Sequence, residues 1–296
     1  MAKRAPHPRQ DEPANRPTHR PATAYPWLLY AVVFVCGADL MALEIVGSRM
    51  LAPYFGNSIF VWGSLISVVL AALSLGYWLG GIAADRWPRL SVLATLIVVP
   101  GVIIALLPFV YPGLNRGIAD GNMGARVGPL VSSLILFLVP SVFLGTVSPF
   151  AVRLQARAVA SVGSTAGGLY AVSTAGSIVG TLITAFYLIA VLGVANIVHG
   201  LGLLLLLVAA GIFLGGRRVT QAGITVLCAA LLLTAMIWHA RTRAAEAGLI
   251  LEKDSFYNHI RLKILKADLD GFVSHYVRHR HLGSGKNLWG IKLRHP

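Results

Sequence analysis

The sequence predicts an all-α polytopic membrane protein with about seven transmembrane helices and a short, β-hairpin-like C-terminal remnant. Three observations carry that fold class. First, mean hydropathy is +0.72, with 56% hydrophobic and 12% charged residues in a 296-residue chain, whereas about a quarter of the residues of a soluble domain are charged. Second, the apolar residues fall into runs of about 20, the length that crosses about 30 Å of hydrocarbon at 1.5 Å per residue. Barrel strands would instead alternate apolar and polar residues over about 10 positions. Third, the excess positive charge, formally +14, sits in the tails and at the ends of these runs, as expected of topology signals rather than of a nucleic-acid surface.

Taken in order, residues 1–26 are rich in Pro, Arg and His and nearly free of apolar side chains. They bury too little surface to offset chain entropy and are expected to form a disordered basic cytoplasmic arm. No small-residue cleavage site follows the first apolar run, which is long enough to span, so a signal peptide is not expected. The transmembrane domain then covers residues 27–239. Its spans are expected at Trp27 to Val46, Ile59 to Ala83, Ser91 to Tyr111, Pro129 to Pro149, Thr165 to Val191, Ala195 to Leu214 and Val219 to His239. Pro140 predicts a kink in the fourth span, and the residues from Gly47 to Ser58, GSRMLAPYFGNS, read as a loop lying in or re-entering the interface.

Beyond His239 the chain turns polar and basic. Residues 240–265 show a strand-like alternation through Phe256, Ile260, Leu262 and Ile264, and residues 266–296 form an irregular basic tail. With the N-terminus inside, Lys3, Arg4, Arg9, Arg16, Arg20, Arg86, Arg89, Arg153, Arg157, Arg217 and Arg218 lie on the inner side. They outnumber Arg49, Arg116, Arg126, Arg241, Arg243 and Lys253 outside, so this orientation is favoured. An odd number of spans then places the C-terminal tail outside.

The intramembrane polar candidates are Asp39, Glu44 and Arg49. A charged residue near the bilayer centre is disfavoured by about 2.5–3.5 kcal/mol on insertion scales, so it calls for a partner or water. Five residues along a helix turn about 140°, so Asp39 and Glu44 do not form a carboxylate pair on one face. Glu44 and Arg49 can pair across the span boundary, and Asp39 is left as the candidate for a polar substrate or a proton. In the turn GGIAADRWPRL, Asp85 can accept from a neighbouring helix N-terminus, while Arg86 holds the turn inside. Gly76 with Gly80, and Gly176 with Gly180, form GxxxG patterns that bring helix backbones close in lipid. His199, alone in its span, is expected to bond a backbone carbonyl.

Cys36 and Cys228 lie far apart in apolar runs, as free thiols would. His275, His279 and His281 give an HxxxHxH in the basic tail, but no metal site is assigned. There is no GxGxxG after a strand, no Walker loop, no HExxH and no Gly-x-Ser-x-Gly elbow, and no catalytic residue is assigned.

The run Glu44, Arg49, Leu51, Pro53, Gly56, Ser58 and Trp62, followed by Gly76, Tyr77, Gly80, Gly81, Asp85 and Arg86, resembles the membrane domain of bacterial spermidine synthase-like proteins, members of the polyamine aminopropyltransferase family. The stretches GTVSPFAVRL and GGLYAVSTAGSIVGTL resemble the same domain. The turn GGIAADRWPR resembles the cytoplasmic motif between helices two and three of the major facilitator superfamily, and EKDSFYNHIRLKI at residues 252–264 is similar to the entry hairpin of the aminopropyltransferase domain.

The resemblance covers about residues 27–265 and implies a multi-pass protein of the bacterial inner membrane, with the lipid bilayer as partner and polyamine as a possible ligand. It also implies decarboxylated S-adenosylmethionine as co-substrate of a Rossmann-like domain whose donor-binding and catalytic motifs have no counterpart here. The expectation is therefore a truncated or frameshifted family member, catalytically incompetent as this chain. The alternative is a transporter or transport-associated module for polyamines or another small cation. The donor is cytosolic, so a tail placed outside conflicts with the family's enzyme; one span fewer, or an arm outside, would remove the conflict.

Overall fold

A computed structural model describes residues 26–121, 123–156, 161–216 and 218–235, and the backbone of the last helix as far as Ala245. Beyond α8 the backbone alone is described, as short strands among which Leu249–Asp254 pairs antiparallel with His259–Leu269; the arm at 1–25 lies outside the described residues.

Helices follow one another in chain order: α1 (Pro26–Phe55), α2 (Ile59–Arg86), α3 (Leu90–Asp120), α4 (Gly124–Gln155), α5 (Val162–Ile183), α6 (Ile189–Val191), α7 (Val194–Gly215) and α8 (Val219–Ala245). A π-helical turn at Thr184–Leu188 joins α5 to α6 and makes them one continuous span. Six helical segments are long and apolar enough to cross a membrane, and α8 contributes a shorter apolar stretch, Val219–Ala235. The bilayer setting is also written on the outside of the bundle, where Ile66, Leu70, Trp78, Ile178, Leu182 and Phe186 are exposed. A continuous apolar surface of this kind belongs in lipid rather than in water. Trp27 and Trp87 are both exposed at the end of the bundle that holds the start of α1 and the α2–α3 turn, the depth that indole rings favour at a headgroup boundary.

The helices run beyond the expected spans. The apolar run sets how much of a helix lies in hydrocarbon, whereas the backbone ladder continues until something stops it. The stretch from Gly47 to Ser58 is the clearest correction: α1 continues to Phe55, and only Gly56, Asn57 and Ser58 form the connection. Met50 and Leu51 are buried there, and Gly47 lies against the Phe137 ring of α4, so this last part of α1 is held by packing. Asn115 Nδ2 donates to the Met50 carbonyl at 3.2 Å and ties α3 to the same turn. Gly56 ends the helix at φ +79°, with its N–H bonded to the Ala52 carbonyl at 2.9 Å. This left-handed cap suits a residue without Cβ.

At the other end of α2, the Trp87 N–H bonds the Ala83 carbonyl, and Pro88 cannot extend the helix. The fourth span likewise exceeds its expected limits, running unbroken through both Pro140 and Pro149 to Gln155.

Three pairings organise the bundle: α2 along α4, α3 along α7, and α1 along α5. The core lies among α1, α3, α4 and α7 and is filled by Leu43, Ile97, Phe137, Phe150 and Leu205. By contrast, α5 buries little beyond Leu169, Gly176 and Gly180.

Candidate functional site

The two GxxxG patterns sit at two of these seams. A Cβ on Gly76 would strike the Val142 carbonyl of α4, and one on Gly80 would lie 2.6 Å from Thr146 Cα. Across the other seam, Gly176 and Gly180 of α5 meet the Phe34 and Ala38 carbonyls of α1. Ser177 Oγ donates to the Gly37 carbonyl at 3.1 Å, adding a hydrogen bond to that contact. A third seam follows the same logic without a GxxxG: Gly202 of α7 meets the backbone of α3 at Gly101 and Ala105. There His199 Nδ1 donates to the Ala105 carbonyl at 2.9 Å, as expected of a lone histidine in a span, with the Phe109 ring 5.2 Å away.

Asp39 is the most distinctive polar group in the bundle. It is 1% exposed near the middle of α1, and neither carboxylate oxygen has a hydrogen-bond partner among the described residues. A carboxylate in that setting must hold a proton or be balanced by a cation. Glu44 is only half-buried, in keeping with the helical turn that separates it from Asp39. Arg49 is half-buried one and a half turns further along and is engaged in contacts of its own.

Asp85 lies in the last turn of α2. It accepts from Arg153 Nε at 2.7 Å, which links the α2–α3 turn to the end of α4. Arg86 is exposed at the same end.

Several polar residues that the sequence did not single out share Asp39's condition. Ser132, Ser133 and Ser141 of α4 are fully buried, with hydroxyls that have no partner among the described residues, and the Oδ1 of Asn115 is in the same state. Counting 1.5 Å per residue from Pro26 and Gln155, Asp39 and Ser141 stand at a similar depth, about 20 Å from those ends of their helices. Polar side chains inside apolar runs were the available signal. Asn115 escaped it because the third span was expected to end at Tyr111.

Cys36 and Cys228 are free thiols, and no group of three metal-ligating side chains occurs among the described residues. A cavity of about 190 Å³ opens between the start of α3 and the end of α7, lined by residues that include Arg89, Ser91, Phe213 and Arg218. Its two guanidinium groups do not fit decarboxylated S-adenosylmethionine, which is itself cationic.

No family model, curated protein or solved structure matches the chain. The fold and its polar groups define the class: a multi-pass helical membrane protein whose helices are joined at glycine seams.

Proposed function

We propose that this chain provides the helical membrane module of a spermidine synthase-like protein, a bilayer-embedded platform that does not itself transfer aminopropyl groups. One observation carries the reading: the stretches on which the resemblance rests meet one another. Gly76 and Gly80 pack on the start of GTVSPFAVRL, Asp85 of the facilitator-like turn pairs with Arg153 near its end, and GGLYAVSTAGSIVGTL lies along α1 through Gly176 and Gly180. Residues scattered over more than a hundred positions thus form two contact seams, as a shared fold signature would.

A second reading is favoured by Asp39. A buried carboxylate without a partner among the described residues, in a bundle that also contains unsatisfied hydroxyls, suits a transporter or transport-associated module for a polyamine or another small cation. Purified chain in proteoliposomes, given radiolabelled putrescine with and without an imposed pH gradient, separates the two. The platform reading expects no uptake above protein-free liposomes. Uptake that Asp39→Asn abolishes would replace it with the transport reading.

A further inference from the structure

The cavity between α3 and α7 belongs to neither reading. Its walls come from two helix ends that meet at one side of the bundle: Arg89, Leu90 and Ser91 where α3 begins, and Ile212, Phe213 and Arg218 where α7 gives way to α8. Three features of these walls point the same way.

The first is charge. Both arginines are exposed, and neither guanidinium is engaged by an acid among the described residues. The acid at this end of the bundle, Asp85, is occupied by Arg153.

The second is the chemistry of the donors. Arg89 is the residue that precedes the first turn of α3, and it offers that turn no side-chain cap. Among the described residues the N–H groups of Leu90 and Ser91 meet no acceptor, and they stand beside the two arginines of the lining.

The third is shape and place. About 190 Å³ exceeds the roughly 150 Å³ that admits a benzene-sized ligand. Leu90, Ile212 and Phe213 give the cavity an apolar wall. The mouth lies at the ends of two membrane-crossing helices, at the boundary marked by the exposed Trp87.

We infer that this cavity binds a phosphate-bearing anion, with Arg89 and Arg218 as its cationic clamp. Two sources share that chemistry, the headgroup of an anionic phospholipid and free phosphate. Basic pockets between membrane helices on the cytoplasmic side characteristically take lipid headgroups. The charge distribution favours that side for this end, where Arg86, Arg89, Arg153 and Arg218 gather.

The test uses the purified full-length chain in a neutral detergent. Thermal stability and native mass spectrometry are read against phosphatidylglycerol, phosphatidylcholine and inorganic phosphate. The proteins compared are wild type, Arg89→Gln/Arg218→Gln, the charge-conserving Arg89→Lys/Arg218→Lys, and Arg116→Gln at the opposite end. Phosphatidylglycerol is expected to bind wild type and Arg116→Gln alike and the glutamine double variant about 30-fold more weakly, as follows from removing two surface charges. The lysine double variant, which keeps the charge but loses the fork, should fall between them. Stabilisation by inorganic phosphate as strong as that by phosphatidylglycerol would assign the site to free phosphate; stabilisation by the lipid alone assigns it to the headgroup. Equal binding of phosphatidylglycerol and phosphatidylcholine by wild type, or undiminished phosphatidylglycerol binding by the glutamine double variant, overturns the inference.

Discussion

Gly80 and Gly81 are neighbours in sequence with opposite surroundings, which makes them a sharp test of the seam between α2 and α4. A Cβ at Gly80 would lie 2.6 Å from Thr146 Cα and 2.9 Å from Thr146 Cβ, whereas one at Gly81 meets nothing within 4 Å. Carbon atoms rest about 3.5–4.0 Å apart, so Gly80→Ala obliges the helices to part by about 1 Å locally. A gap of that size forfeits a quarter to a half of the dispersion energy of each contact it opens. Overpacking of this kind destabilises by about 1–3 kcal/mol. Gly81→Ala meets no obstacle and gains up to about 1 kcal/mol of helix propensity on the aqueous scale, so it should be neutral or mildly stabilising. Thermal unfolding of both variants in the same detergent, followed by intrinsic tryptophan fluorescence, reads the difference directly. Unfolding of the two variants together, or a weaker Gly81→Ala, would refute close packing of α2 on α4 at Gly80.

Three further outcomes follow from the same structure. Asp39→Leu removes a buried group whose oxygens have no partner among the described residues, and should stabilise the bundle by about 1–3 kcal/mol in detergent titrations. A loss of stability would mean that the carboxylate has a partner in the folded protein. Asp85→Asn should change the unfolding midpoint little, because its ion pair with Arg153 is exposed and such pairs contribute about 0.2–1 kcal/mol even before salt screening. A large effect, insensitive to salt, would contradict this. His199→Leu takes away the bond to the Ala105 carbonyl and should destabilise by about 1 kcal/mol. An unchanged midpoint would show that the α3–α7 seam rests on Gly202 and its neighbours alone.

The sequence carried the architecture well because lipid imposes a simple code: about 20 apolar residues per crossing, and small residues where backbones meet. Gly76, Gly80, Gly176 and Gly180 were legible for that reason. Helix ends were harder to read. Pro53 is a turn former in sequence, yet Met50, Leu51 and the Asn115 amide hold this segment helical as far as the Gly56 cap. Pro149 likewise stands within α4 rather than at its end.

Partners across the bundle were not legible at all. Nothing in the spacing of Asp85 and Arg153, sixty-eight positions apart, announces their contact, and the sequence offered Asp85 a helix N-terminus instead. The cavity between α3 and α7 was equally hidden, since Arg89 and Arg218 read only as topology signals until the fold brought their helix ends together. Asp39 was visible as a charge in a span; that it has no partner among the described residues required the structure.

The proposed membrane module is expected to have no aminopropyl-transfer chemistry of its own. The most direct measurement incubates the purified full-length chain in nanodiscs with putrescine and decarboxylated S-adenosylmethionine and quantifies spermidine by mass spectrometry, with a soluble spermidine synthase as positive control. No spermidine above the empty-nanodisc background is expected, and sustained turnover that scales with the amount of protein would overturn the proposal.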